Sequence, residues 1–237
     1  MIKKCILLAA GLGARLQPLT NSTPKCLVKI KGRPLLEYWL VLLQKHGIKD
    51  VLINTHHLHH QVSDYIDSIV TSLEITLSYE EDLLGSYTTL VKNKNYYKEQ
   101  DSILVANADN LTNINLSNFF EYHYSNPFGA TVALIKTENP TECGIVEMNF
   151  DNKIISYEEK PSFPRSDLSN AGIYIFDKIL LDKFEENTLL LDIGYDLLPR
   201  LVDCSSGYVL TEFLIDIGSH FSLDIANKLP YDPIVKI

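Results

Sequence analysis

The sequence predicts an α/β fold of the doubly wound kind, a mainly parallel sheet covered by helices on both faces, with a β-rich insertion. Three observations carry this. Strand-length apolar runs alternate with helical-period segments through the first half. The connections between them are short. Beyond Lys136 the alternation gives way to closely spaced β runs. In order, Lys3–Ala9 is a short apolar run of strand length that ends in a glycine-rich turn. Residues 34–46, PLLEYWLVLLQKH, carry apolar side chains at helical spacing and stop at Gly47, a natural C-terminal cap. Val51–Asn54, Glu74–Tyr79 and Ser102–Asn107 read as strands, with helical material over His59–Leu73. Leu116–Tyr124 reads as a helix and Ala130–Lys136 as a buried strand. Gly144–Asn149 and Lys153–Glu158 form a hairpin around Asp151-Asn152, and Gly172–Phe176 is a further strand. Asp177–Glu185 and Tyr195–Val202 are read as helices, Tyr208–Ile215 as strand and Ser219–Lys228 as a closing helix.

A chain of 237 residues buries a full core without disulfide staples. No linker, repeat or low-complexity tract divides it, so the expectation is one domain over 1–237 with two lobes, 1–136 and 137–237. Hydrophobic residues at 46% and charged residues at 22% exclude intrinsic disorder. Apolar runs such as 38–43 are far shorter than the roughly 20 residues of a membrane span. The N-terminal apolar stretch is broken at once by Gly11-Leu12-Gly13-Ala14-Arg15, which favours a buried strand over a signal peptide. Cys5, Cys26, Cys143 and Cys204 are scattered with no CxxC pair, so a reducing cytoplasm is the expected setting. A net charge of −9 argues against nucleic acid as a partner. An anionic substrate must therefore be held by a few placed cations.

The strongest local signal is residues 8–16, LAAGLGARL, followed by Lys25 in residues 23–27, TPKCL. Glycines after a buried strand let the backbone approach a phosphate and offer amide donors, while Arg15 and Lys25 supply charge. Neither common phosphate loop fits: Leu16 stands where a third glycine of GxGxxG belongs, and no GK[ST] follows.

These residues resemble the signature of the sugar-1-phosphate nucleotidyltransferases, the NDP-sugar pyrophosphorylases. The similarity continues in order through Leu84-Gly85, Ala108-Asp109, Gly144-Ile145-Val146, Glu159-Lys160-Pro161, residues 170–176 (NAGIYIF) and Asp216-Ile217-Gly218, covering nearly the whole chain. The resemblance implies a Rossmann-like core of the nucleotide-diphospho-sugar transferase type with a β-rich sugar-binding insertion. It implies an enzyme joining a nucleoside triphosphate to a sugar 1-phosphate, with release of pyrophosphate, for nucleotide-sugar and polysaccharide biosynthesis. Asp109 and Asp216, each at a strand end, match the metal-binding positions. Two such carboxylates suit Mg²⁺, which fills its shell with phosphate oxygens and water. Arg15 would hold the departing pyrophosphate, Lys25 approach the α-phosphate and Lys160 grip the sugar phosphate. Ala9, Ala10, Gly11, Leu12, Gly13, Gly85 and Ala108 match nucleotide-binding positions, and Gly144, Glu159 and Asn170 match sugar-contacting ones. The attacking phosphate oxygen is already ionised near neutral pH, so positioning and charge neutralisation carry the chemistry.

The chain departs from the family's usual LGTAGAL at residues 84–90, LGSYTTL, which bears on base and sugar identity. Asn107-Ala108 stands where a glycine often precedes Asp109. The overall set resembles short guanylyltransferases acting on mannose 1-phosphate or heptose 1-phosphate. Uridylyl or thymidylyl transfer to another hexose 1-phosphate stays open, as does cytidylyl transfer to phosphocholine or a similar phosphomonoester. A silent nucleotide-sugar sensor would be expected to have lost some of Arg15, Lys25, Asp109, Lys160 and Asp216, yet all five are present. The chain reaches Ile237 soon after the closing helix without a hexapeptide repeat, so a monofunctional enzyme without a fused β-helix is expected, and homo-oligomerisation is left open. The run His56-His57-Leu58-His59-His60 lacks the ligand spacing of a metal site. The aromatics Tyr96-Tyr97, Phe119-Phe120, Tyr122 and Tyr124 read as packing, since no basic residues interleave with them.

Overall fold

The computed structural model describes residues 2–184 and 190–230. In chain order the elements are β1 (Lys4–Leu8), β2 (Lys29–Ile30), β3 (Arg33–Pro34), α1 (Leu35–Lys45), β4 (Asp50–Thr55), α2 (His59–Ser68) and β5 (Glu74–Tyr79). There follow α3 (Ser86–Lys92), α4 (Lys94–Tyr97), β6 (Ser102–Asn107), β7 (Asn110–Thr112), α5 (Leu116–Ser125) and β8 (Ala130–Lys136). The remainder are β9 (Gly144–Met148), β10 (Ile154–Glu159), β11 (Leu168–Asp177), α6 (Lys178–Asp182), β12 (Ser205–Val209), β13 (Leu214–Asp216) and α7 (His220–Asn227). They group into two compact units. The first holds Lys3–Leu83, Ala106–Leu116 and the chain from Glu212; the second holds Leu84–Val105 and Ser117–Thr211 together with Ile2.

In the first unit β1, β4 and β5 pair in parallel, with Leu8 opposite Asn54 and Thr55 opposite Tyr79. The apolar spacing of α1 buries Leu35, Leu36, Tyr38, Trp39, Leu40, Leu42 and Leu43, each worth about 1.5–3 kcal/mol when withdrawn from water. Leu35 and Tyr38 join Leu16, Val28, Leu111 and Ile217 in one cluster, and the Trp39 indole donates to the Asn110 carbonyl at 2.8 Å. Gly47, at φ +79°, ends α1 in the left-handed region, and Ile48 N–H then bonds back to Leu43 O. β7 pairs antiparallel with β13, setting Asp216 opposite Asn110, and Ile217 N–H donates to Asp109 O. This pairing sets the Asp109 and Asp216 segments side by side.

In the second unit β8 pairs antiparallel with β11 and in parallel with β12. β9 and β10 form an antiparallel hairpin, and β9 touches β11 through Ile145 and Ser169. Phe119, Val132, Ile173 and Phe176 are fully buried here. The α/β class expected from the alternation is the class observed, with an all-parallel β1-β4-β5 set in the first unit and a β-rich region of mixed pairing in the second.

Several elements differ from expectation. The helix expected over His59–Leu73 ends at Ser68, because residues 69–73 lead out to β5. The helix expected over Tyr195–Val202 is instead a π-turn, Ile193–Leu197, followed by a 3₁₀ turn, Leu198–Arg200, with Gly194 in the first and Pro199 opening the second. The helix expected over Asp177–Glu185 is the short α6, Glu185 lying outside the described residues. The expected strand Tyr208–Ile215 is two strands, β12 and β13, one in each unit. β11 begins four residues before the expected Gly172, because a register shift between Asn170 and Tyr174 conceals the earlier pairing from a simple period-two pattern. Helices α3 and α4 carry no apolar repeat long enough to read.

Candidate active site

The first unit places the charged residues. β1 leads into the glycine turn, where the Ala9 amide donates to Asn54 Oδ1 at 2.6 Å and Ala108 N–H donates to Leu8 O. Asn54 is positioned by the parallel register and is itself held, its side-chain amide donating to the buried Glu80 carboxylate at 2.9 Å. Gly13 sits at φ +64°, and a Cβ there would lie 2.8 Å from Thr20 Cγ2. Thr20 Oγ1 donates to Gly13 O at 2.9 Å, and His57 Nε2 donates to Thr20 O at 3.1 Å. His56 donates to Glu80 O, while the His59 ring packs on His60 and Tyr79. The first two histidines of the run thus brace backbone. Gly11 has open space above its Cα, and Leu12 is half-exposed, so this turn presents main chain to solvent.

Lys25 is nearly buried, and its ammonium lies 2.5 Å from Asp109 Oδ2 and 3.6 Å from Asp216 Oδ1. Arg15, largely exposed, reaches Asp216 Oδ2 at 3.6 Å. Withdrawal from water and the neighbouring Asp109 charge raise the Asp216 pKa, against the pull of Lys25 and Arg15. Two carboxylates that repel one another around one ammonium, with oxygen donors only, fit a hard divalent cation such as Mg²⁺. A small cavity is lined by Ala9, Gly11, Lys25, Ala108 and Asp109 among others. Arg15, Lys25, Asp109 and Asp216 therefore form one cluster, beside the Ala9–Gly13 turn.

The second unit holds the other expected residues. Gly144 faces Glu159 across the β9–β10 ladder. Tyr157, two residues before Glu159 and on the same face of β10, donates its hydroxyl to Glu159 Oε2 at 2.6 Å. A Cβ on Gly144 would overlap the Tyr157 hydroxyl and lie 2.5 Å from Glu159 Oε2. Burial, then the nearby Tyr174 and Glu159, push the Tyr157 phenol upward, so it remains a hydrogen-bond donor. Asn170 accepts from Gly172 N–H and donates to Tyr174 Oη, both at 2.9 Å. Lys160 is exposed at φ +50°, its amide bonded to Cys143 O. Gly85 stands at φ +92°, where a Cβ would lie 2.6 Å from Leu191 O, and Tyr87 N–H donates to that same carbonyl. Ser86 Oγ donates to Asp192 Oδ2 and accepts from Ile193 N–H, each at 2.7 Å. The departure at residues 84–90 is thus a helix start, fastened to the 191–193 backbone.

Tyr157, Tyr174, Asn54, Thr20 and Ser86 were not singled out from sequence. Tyr157 had a signal in its i, i+2 relation to Glu159; the others depend on the register and on turns far away in the chain.

The family model described as nucleotidyl transferase matches residues 4–229. The chain belongs to that family. Among its relatives, a Sulfolobus acidocaldarius protein named as a candidate mannose-1-phosphate guanyltransferase is 32% identical over 90% of this chain and 59% of its own length. A Synechocystis protein named UTP–glucose-1-phosphate uridylyltransferase is 30% identical over 84% of this chain and 55% of its own. The chain thus spans little more than half the length of these family members. A crystal structure from Bacillus anthracis, described as a candidate glucose-1-phosphate thymidylyltransferase in complex with sucrose, superposes with a TM-score of 0.82 at 25% identity, covering 99% of both chains. No described helix is long and apolar enough to cross a membrane.

Proposed function

We propose that this family member is a sugar-1-phosphate nucleotidyltransferase, with GTP and mannose 1-phosphate or heptose 1-phosphate as its substrates. The observation that carries the reading is Lys25, buried beside an open glycine turn and shared between Asp109 and Asp216. Such an ammonium is fixed in direction before any ligand arrives. The base preference leans on the resemblance of the motif set and on the relative named for guanylyl transfer. Uridylyl and thymidylyl transfer are named for other family members.

In this reading the Gly11–Gly13 turn receives the triphosphate on main-chain amides. Arg15, exposed and paired with Asp216, swings to the β- and γ-phosphates that leave as pyrophosphate. Lys25 stands at the α-phosphate, whose phosphorus is attacked by an oxygen of the sugar phosphate; the new P–O bond forms as the bond to pyrophosphate breaks. Lys160 meets the charge of the sugar phosphate, and Glu159 and Asn170 accept or donate to sugar hydroxyls while held by Tyr157 and Tyr174. Asp109 and Asp216 would hold Mg²⁺, which supplies neutralisation of phosphate charge when bound. No general base is required.

The test is pyrophosphate release from purified protein with Mg²⁺, over five nucleoside triphosphates crossed with mannose, heptose, glucose, N-acetylglucosamine, muramic acid and choline phosphates. A GTP column with a mannose or heptose row supports the full reading. A UTP or dTTP column with another hexose keeps the class and changes the substrate. A CTP signal with phosphocholine overturns the sugar reading, and silence throughout overturns the enzyme.

A further inference from the structure

The second unit contains a turn that the expected site residues leave out. Ile193–Leu197 is π-helical, a rare geometry concentrated at functional positions. It is fixed at several points. Asp192 Oδ1 accepts from Tyr195 N–H at 2.9 Å, and Asp196 Oδ2 accepts from the Leu191 and Asp192 amides. Ser86 adds the two bonds described above. This turn meets Glu159 at the end of β10 and Lys160 just beyond it. An added Cβ on Gly194 would lie 3.2 Å from Glu159 Oε2, and the Tyr195 ring lies under the Lys160 ammonium, 5.7 Å from its centroid. Tyr195 is itself more than half exposed, so core packing does not account for it.

We infer that Tyr195 is the positioning residue for Lys160, its ring holding the ammonium where it meets the phosphate of the acceptor sugar; this rests on the sugar-phosphate role proposed for Lys160. A lysine has four side-chain torsions and loses much rotamer freedom when it binds. A ring beneath the ammonium narrows that freedom in advance, and a cation–π contact leaves the outward N–H donors available to an anion. The left-handed backbone at Lys160 turns the side chain at its root, and the ring restrains its tip. The ring comes from a turn braced by Ser86, so the start of α3 also bears on where the lysine is held.

Kinetics and carbon-13 NMR on the full chain test this together. Tyr195→Leu is expected to raise KM for the sugar 1-phosphate about two- to five-fold, the range of an exposed cation–π contact, with KM for the nucleotide unchanged. Tyr195→Phe, which keeps the ring, is expected to restore it. In a Lys160→Met background Tyr195→Leu should add nothing. After reductive methylation of lysines, the Lys160 signal, assigned by its loss in Lys160→Arg, should be ring-current shifted in wild type and Tyr195→Phe but not in Tyr195→Leu. It should also move on titration with mannose 1-phosphate or glucose 1-phosphate. A wild-type Lys160 signal without the ring-current shift, or one that neither sugar phosphate moves, overturns the inference. So does an equal rise in both KM values. If no substrate pair is turned over, the proposed activity falls; a Lys160 signal that is ring-shifted and answers sugar phosphate still upholds the role of Tyr195.

Discussion

The two polar clusters are built by opposite means. In the first unit Lys25, Asp109, Asp216 and Arg15 are ions holding one another, with Arg15 largely open to water and Asp216 half-exposed. In the second unit Glu159 and Asn170 are held by neutral groups, the hydroxyls of Tyr157 and Tyr174 and a backbone amide. The ion cluster can exchange partners at small cost, since each charge keeps an opposite charge when a phosphate or a cation enters. The neutral cluster keeps its partners and so fixes direction, which is what recognition of sugar hydroxyls demands.

The largest break should come from the ion cluster. Asp109→Asn is expected to lower turnover by 10²-fold or more, about the loss of one placed electrostatic group. Asp216→Asn should do the same, and near-normal turnover in both would remove these residues from the metal role. Asp109→Ala also removes the shorter of the two ion pairs that Lys25 makes among the described residues, leaving the 3.6 Å contact to Asp216. That should cost about 2 kcal/mol of stability, the scale of a lost charged hydrogen bond, read from urea midpoints.

The next break belongs to the neutral cluster. Gly144→Ala puts a methyl group where the Tyr157 hydroxyl lies, and overpacking of that kind costs about 1–3 kcal/mol. KM for the sugar phosphate should rise while KM for the nucleotide stays. Tyr157→Phe in the same background gives the methyl room and should recover part of the stability. A Gly144→Ala protein with unchanged stability would show that the pair yields easily.

The same contrast explains what the sequence revealed. The strands Val51–Asn54, Ser102–Asn107 and Ala130–Lys136 were legible because burial writes a local apolar pattern. Arg15 stood out beside the glycine turn and Asp109 and Asp216 at strand ends, whereas Lys25 was picked out by its place in the motif, residues 23–27. Tyr174 and Ser86 were not, since a hydroxyl in an apolar or turn segment has no mark of its own until the register places its partner. The π-turn was read as a helix for a related reason: Ile193, Leu197 and Leu198 are buried at helical spacing, and only the bonds from Asp192, Asp196 and Ser86 decide its geometry.

A smaller effect sharpens the comparison, because the second unit also contains a half-buried carboxylate held by side-chain hydrogen bonds. Asp177 Oδ1 accepts from Ser102 Oγ at 2.6 Å and from His123 Nε2 at 3.1 Å, while His123 Nδ1 meets Thr131 Oγ1. Burial acts to raise the Asp177 pKa, but the hydrogen bonds from His123 and Ser102, with the electrostatic pull of His123, outweigh it and the net shift is downward. The unfolded chain, with an aspartate near about 3.9, therefore binds this proton more readily than the folded one. The stabilisation is present in full above that value and is lost as the pH falls through the lower folded value. Asp177→Asn should lower stability by about 1 kcal/mol at pH 6, and the gap to wild type should narrow as the pH is taken down to about 3. Urea midpoints at the two pH values decide it: a gap that stays constant would mean that the carboxylate charge contributes nothing and that packing alone holds the Ser102–Asp177–His123 chain.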